Sequence, residues 1–333
     1  MEEIVRELTE AYGPSGAEGK VRELIQERIA PYVDEQRVDA LGNLIACKRA
    51  GASPAVGRLM LAAHMDEIGL IVSYIDEKGF LRFHPMGGVF PLTLLGGRVV
   101  FENGTMGVIG IERWQEDKIP PMDKLFIDVG AASPADCPVK VGDIAGFHRP
   151  FFAQGTRWVG KAMDDRIGCA VLVEFLRQVK ETIYDLYVVF TVQEEIGLRG
   201  AMVSAFAVEP DVAIAVDITT TGDYPESDKM AVELGKGVAI KVKDSGMIAH
   251  PGLRRHLVQL AEKAGIPYQL EVLRRGTTDA YAMQVSREGV PAGVLSIPTR
   301  YAHTPSEMVD QRDVRAAVDL LLHLVAQPME LGG

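Results

Sequence analysis

Seven residues of this chain, of types able to bind divalent metals or move protons, each stand where the hydrophobic pattern changes. His64 and Asp66 follow an apolar run ending at Ala63. Glu194 and Glu195 follow Leu186–Val192, and Asp217 follows Val212–Val216. His303 falls in a loop a few residues past a run ending at Ile297, and Asp164 lies just ahead of a helical pattern. In open α/β sheets ligands bind beyond the carboxyl ends of the strands, so residues this far apart in sequence can converge there. Imidazole and carboxylate ligands suit Zn²⁺, Co²⁺ or Mn²⁺. Two histidines and three carboxylates could hold two ions with one carboxylate bridging, and two ions about 3.5–4 Å apart activate a shared water. Each residue also has an ordinary reading. A strand-end histidine is commonly just hydrogen-bonded, Glu194-Glu195 could be a solvated loop, and Asp164-Asp165 could be an N-cap with a first-turn acid. The coincidence of several such residues at strand ends favours the metal reading.

The elements that must position these residues are legible as an α/β alternation. Ile4, Leu8 and Ala11 share a helix face that Gly13-Pro14-Ser15-Gly16 stops, and Val21, Leu24, Ile25 and Ile29 continue at helical spacing to Pro31. A hairpin follows with Gly42-Asn43 as its turn. Later, Ile167, Ala170, Val173 and Leu176 carry a helix, as do Leu253, Leu257, Leu260 and Ala264, closed by Gly265. Val290–Ile297 reads as a late strand, and Val314–Val325 as the closing helix. Between Glu67 and Val159 strands are short and glycines frequent, which predicts a small all-β module inserted into the main chain. The expected domains are therefore a catalytic unit of residues 1–66 and 160–333 and an inserted β-rich unit of residues 67–159. The expected architecture is an α/β/α sandwich around a mixed sheet.

The 333 residues, 47% hydrophobic and 24% charged, are ample for a large core. A formal net charge of −11 argues against nucleic acid and anionic membrane surfaces as partners. Cys47, Cys137 and Cys169 show no paired spacing and read as reduced thiols. The acidic start Met1-Glu2-Glu3-Ile4 lacks a signal-peptide pattern, and no run approaches a membrane span, so a soluble cytoplasmic protein is expected. His84, His148, His250, His256 and His323 match no ligand pattern and read as structural or solvated.

Several stretches together resemble the tetrahedral (TET) aminopeptidases, a family of dinuclear metallopeptidases whose members also carry glutamyl aminopeptidase and endoglucanase names. They are Ala63-His-Met-Asp-Glu-Ile-Gly69, Gly160-Lys-Ala-Met-Asp-Asp-Arg-Ile-Gly168, Thr191-Val-Gln-Glu-Glu-Ile-Gly-Leu-Arg-Gly-Ala201 and Val216-Asp217. Leu234-Gly-Lys-Gly237, Gly276-Thr-Thr-Asp-Ala280 and Arg300-Tyr-Ala-His-Thr-Pro-Ser306 complete the set, in family order. The resemblance implies a sandwich of the zinc-aminopeptidase type and release of N-terminal amino acids from peptides with a free N-terminus. It implies two divalent ions per subunit, zinc or cobalt, with manganese as a further option. His64 and Asp217 would bind one ion, Glu195 and His303 the other, and Asp164 would bridge; spacing alone does not separate Asp164 from Asp165. Asp66 would orient His64, and Glu194 would be the general base. Asp279 and Arg300 are expected in the substrate pocket, although Thr277 replaces the second glycine usual before Thr-Asp-Ala. The β insertion would mediate dimer contacts, six dimers building a dodecameric shell.

Two other functions are weighed. A glycosidase would use Glu194 and Glu195 as its acid pair, but neighbours on an extended chain point opposite ways, and His64 and His303 would be left without a role. A non-catalytic, metal-containing peptide-binding assembly would hold the metal but turn nothing over.

Overall fold

The computed structural model describes residues 1–332 except 52, 53, 114, 116 and 117. Four parallel strands form the centre of a large mixed sheet, in the order Asp185–Thr191, Arg58–His64, Val212–Thr220 and Ala292–Arg300. The side chains alternate strictly between two cores, as the pleat requires. Leu59, Leu61 and Ala63 face one cluster, with Ile214 and Val216 beside them. Met60, Ala62, Ala213 and Ala215 face the other. The first cluster is roofed by the helices Glu2–Glu10, Gly19–Ile29, Met163–Gln178, Pro251–Ala264 and Gln311–Leu324. The second is roofed by the shorter helices Arg199–Val208 and Asp279–Gln284. Its facing side chains are mostly alanine, which lets these helices lie close to the sheet. The α/β/α sandwich expected from the sequence is the observed architecture.

Strand Gly69–Ile75 leaves the sheet just after His64 and opens a closed six-stranded barrel. Its strands are ordered Gly69–Ile75, Leu81–Met86, Leu125–Asp128, Met106–Ile111, Arg98–Phe101 and Ile144–Phe147, and every pairing is antiparallel. The barrel has its own core of Leu70, Phe83, Val99, Phe101, Ile127 and Phe147. Closure removes the free sheet edges that a six-stranded insertion would otherwise expose. The strand Phe152–Gln154 and all but the last residue of Arg157–Gly160 fall inside the 67–159 stretch but belong to the large sheet, reaching it through Glu307–Asp310. The Ala292–Arg300 strand runs further than the sequence pattern indicates, as does Val212–Thr220, because both extend past their buried centres toward the functional edge. Helix Arg199–Val208 was not legible, its sequence being rich in small residues with little periodicity.

Buried polar groups lock the strand exits. Arg166, fully buried, donates to the carbonyls of Met65, Leu8 and Gly13. Lys161 pairs with buried Glu67 at 2.6 Å. Asn43, also fully buried, accepts from the Val192 amide at 3.0 Å and donates to Asp39 and to the Gly200 carbonyl. Asn43 thus fixes the strand end from which Glu194 and Glu195 project. Replacing Asn43 by Ala should leave these partners unpaired at a cost of about 1–3 kcal/mol. The thermal unfolding midpoint should fall by a few degrees; an unchanged midpoint would contradict this role.

Candidate active site

The parallel strands bring their carboxyl ends to one edge. His64 ends its strand in register with Thr191, and Asp217 lies opposite Ser296. His64 Nε2 lies 3.0 Å from Asp164 Oδ1, and His303 Nε2 lies 3.2 Å from Asp164 Oδ2. Glu195 Oε2 is 3.6 Å from the same His303 nitrogen. Among the described residues, two groups have ligand atoms within 4.8 Å of one another: His64, Glu194 and Asp217, and His64, Asp164 and Glu195. The residues singled out at strand ends therefore converge, although hundreds of residues of chain separate the first from the last.

Local backbone geometry separates the two adjacent aspartates. Neither Asp164 nor Asp165 has helical angles, although both lie within the helix span. Asp165 Oδ1 accepts from the Gly168 amide at 3.1 Å, a capping role, while its Oδ2 accepts from the His64 amide. Asp164 faces both imidazoles instead. Left-handed backbone at Ala162 (φ 53°), Gln193 (φ 56°) and His303 (φ 60°) flanks the three segments that carry Asp164, Glu194–Glu195 and His303. Such conformations cost energy and persist where surrounding contacts over-determine them, typically at functional sites.

Asp66 sits behind this edge, fully buried. Its carboxylate lies 3.4 Å from His64 Nδ1 and accepts from the Glu194 and Glu195 amides at 3.0 and 3.2 Å. Ser15, whose tetrapeptide reads from sequence only as a helix stop, donates its hydroxyl to Asp66 at 2.6 Å. Glu307 was missed altogether. It accepts from the Asp164 amide at 3.0 Å and from the His303 amide at 2.8 Å. Its nearness to His303 in sequence was the available signal, but a side chain that holds backbone amides leaves no motif.

The electrostatics are those of an overcrowded anionic site. Burial, then the Asp164 charge, pushes Glu195 up to about 8. Burial, opposed by His64 and reinforced by Asp164, does the same for Asp217, to about 8. Burial drives Glu194 well above the carboxylate range and raises Glu307 to about 8. Burial also acts to raise Asp164, yet hydrogen bonds from His303 and His64 hold it below its usual value. Burial opposes charge on His303, but Asp164 and Glu195 raise it to about 10. Carboxyl groups thus outnumber the two imidazoles, and Glu195 Oε1 is buried without a hydrogen-bond partner. Hard carboxylate oxygens and imidazole nitrogens, with an uncompensated negative charge and an orphaned acceptor, fit divalent metal.

The site opens into a cavity of about 750 Å³ lined by His64, Asp164, Glu194, Glu195, Asp217 and His303, with Phe90, Met230 and the 272–278 loop around them. Arg300 does not line it. Its guanidinium is held by Asp223 through two bonds of 3.0 and 2.6 Å, on the strand that outruns its predicted end. Asp279 does not line it either. It begins a short helix capped by Thr278, with one oxygen on Thr191 Oγ1 at 2.5 Å and the other buried without a partner. Thr277 and Thr278 reach the cavity in its place.

The family model of the M42 glutamyl aminopeptidases matches residues 42–320. The chain belongs to this family. It is 40% identical to the lysyl aminopeptidase of Pyrococcus furiosus over 98% of both chains. Among solved structures it resembles the aminopeptidase APDkam598 of Desulfurococcus kamchatkensis, with a TM-score of 0.94, 43% identity and coverage of 98% and 94% of the two chains. It also resembles the TET1 peptidase of Pyrococcus horikoshii, which assembles into a tetrahedron or a large octahedral shell, with a TM-score of 0.88, 33% identity and coverage of 98% and 99%. This M42 protein is a metal-dependent aminopeptidase, a hydrolase of peptide bonds.

At metal centres the groups that orient ligands matter nearly as much as the ligands. Replacing Glu307 by Gln removes charge and one acceptor from the Asp164 and His303 amides while keeping the volume. Apparent metal affinity, read by titrating the apo-protein, should drop about 10–100-fold. Unchanged affinity would make Glu307 a bystander.

Proposed function

We propose that this protein releases N-terminal amino acids from peptides at a centre that holds two divalent ions. The observation that carries this reading is the Asp164 carboxylate, one oxygen on His64 and the other on His303. A carboxylate so placed suits a bridge, with His64 and Asp217 on one side and Glu195 and His303 on the other. The two groups of candidate ligands divide in a compatible way, with Asp217 in one and Glu195 in the other. Zinc or cobalt fits this donor set best, with manganese a further option.

Bound there, the ions would supply an activated water and polarise the scissile carbonyl. Glu194 takes the proton of the attacking water and passes it to the leaving amine. Its backbone is fixed by Asp66, while its side chain lines the cavity. Asp66 orients the His64 imidazole by the same carboxylate that anchors the Glu194 loop, so ligand and base are positioned together.

In this reading the barrel within residues 67–159 carries the oligomer contacts, and the assembly is a homo-oligomer, a dodecamer built of six dimers. The barrel exposes Tyr74, Leu92, Leu95, Met106, Val108 and Val141, more apolar surface than a solvated module needs. The assembling peptidase of Pyrococcus horikoshii supports the same view. Cytoplasmic residence agrees with three free cysteines. Among the described residues no helix is long and apolar enough to cross a membrane.

Two substitutions test the division of labour. Glu194→Gln should lower kcat by about 10²–10⁴-fold with metal content unchanged. Glu195→Gln should lower metal affinity and regain part of its activity in excess metal. Metal content measured beside turnover decides; Glu194→Gln losing metal while Glu195→Gln keeps it would reverse the assignment.

A further inference from the structure

The barrel insertion approaches the catalytic edge at Gly87 and Gly88. A side chain at Gly88 would overlap the His303 ring, and a Cβ at Gly87, itself at φ +80°, would lie 2.8 Å from Glu195 Oε2. The backbone at this point therefore runs against two of the proposed ligands with no room for a side chain. Two residues on, the segment is pinned again: the Thr93 amide and hydroxyl both donate to the Phe90 carbonyl, and Pro91 opens a short 3₁₀ turn. Between these anchors stands Phe90. It lines the catalytic cavity, yet its residue surface is 63% exposed. Exposed aromatic surface is strongly driven to be covered, and this ring stands on a fixed backbone beside the reacting groups. Ile218, Leu198, Val272 and Leu273 line the same cavity.

Resting on the aminopeptidase reading, we propose that Phe90 is a specificity-determining residue: the barrel supplies a substrate-binding wall that packs against an apolar side chain flanking the scissile bond. The occupant is a peptide substrate because the ring is continuous with the catalytic cavity. The segment's glycines hold it at a fixed distance from His303 and Glu195. The barrel would then be part of the active site, and its removal or displacement would alter selectivity as well as assembly.

The test uses the full-length, metal-loaded protein and the variants Phe90→Ala and Phe90→Leu. Two substrate series are compared, one varying the first residue (Ala, Leu, Phe) and one varying the second (Gly, Leu, Phe) behind a fixed alanine. Phe90→Ala should raise KM roughly ten-fold for the bulky members of one series and leave the small members and kcat nearly unchanged. Phe90→Leu should restore most of the loss. The series that responds identifies which side chain meets the wall. Binding of leucine, and of alanyl-leucine in a Glu194→Gln background, followed by calorimetry, reads the same contact without turnover, so an inactive parent enzyme would sink the aminopeptidase reading while leaving this one decidable. Unaltered selectivity and unaltered binding in Phe90→Ala would overturn the proposal. So would an equal loss for every substrate accompanied by a changed assembly mass, which would make Phe90 a contact between subunits.

Discussion

Burying an ionised carboxylate without a partner costs several kcal/mol, and here acidic side chains crowd one end of a sheet with only two imidazoles among them. Hydrogen bonds to backbone amides offset part of that cost for Asp66, Asp164's neighbour Asp165, and Glu307. They leave Glu195 and Asp217 strongly perturbed, each pushed up to about 8. A divalent cation resolves this imbalance, because it adds positive charge where the donors already point. The fold holds those donors in place against their mutual repulsion.

The scaffold achieves this with layers of support whose members act on more than one of the proposed site residues. Asp66 holds His64 and the Glu194–Glu195 backbone, and Glu307 holds the Asp164 and His303 backbones. Behind them Asn43 ties the Val192 strand end to the Arg199–Val208 helix, and Arg166 ties the N-terminal helix to the exit of the His64 strand. Shared supports make the ligand positions interdependent, so losses at neighbouring residues should not add independently. The barrel joins this arrangement through Gly87 and Gly88, so the insertion is packed against the catalytic edge and not merely tethered to it.

Much of this was legible in the sequence because it depends on periodicity. Apolar runs ending at Ala63, Val192 and Val216 mark strands buried on both faces, and chemistry-bearing residues stand at their ends. Frequent glycines and short strands likewise betrayed an all-β insertion. Other features depend on backbone angles and distant partners. Asp164 and Asp165 are the same residue type at the same helix start, and only the angles from Ala162 onward aim one at the imidazoles and the other at Gly168. Arg300 reads as a pocket residue because it opens the His303 segment, but Asp223, 77 residues away, claims its guanidinium. Glu307 and Ser15 act on backbone amides and on another acid, roles that spacing does not encode. The order in which the barrel strands close was equally hidden, since it is set by pairings across the insertion and not by any local pattern.

The most direct test of the central claim is the stoichiometry of metal at full activity. Apo-protein titrated with Zn²⁺ or Co²⁺, with bound metal and peptide turnover measured on the same samples, should reach maximal turnover as occupancy approaches two ions per chain. Maximal turnover at one ion per chain or fewer would contradict a bridged two-ion centre at Asp164.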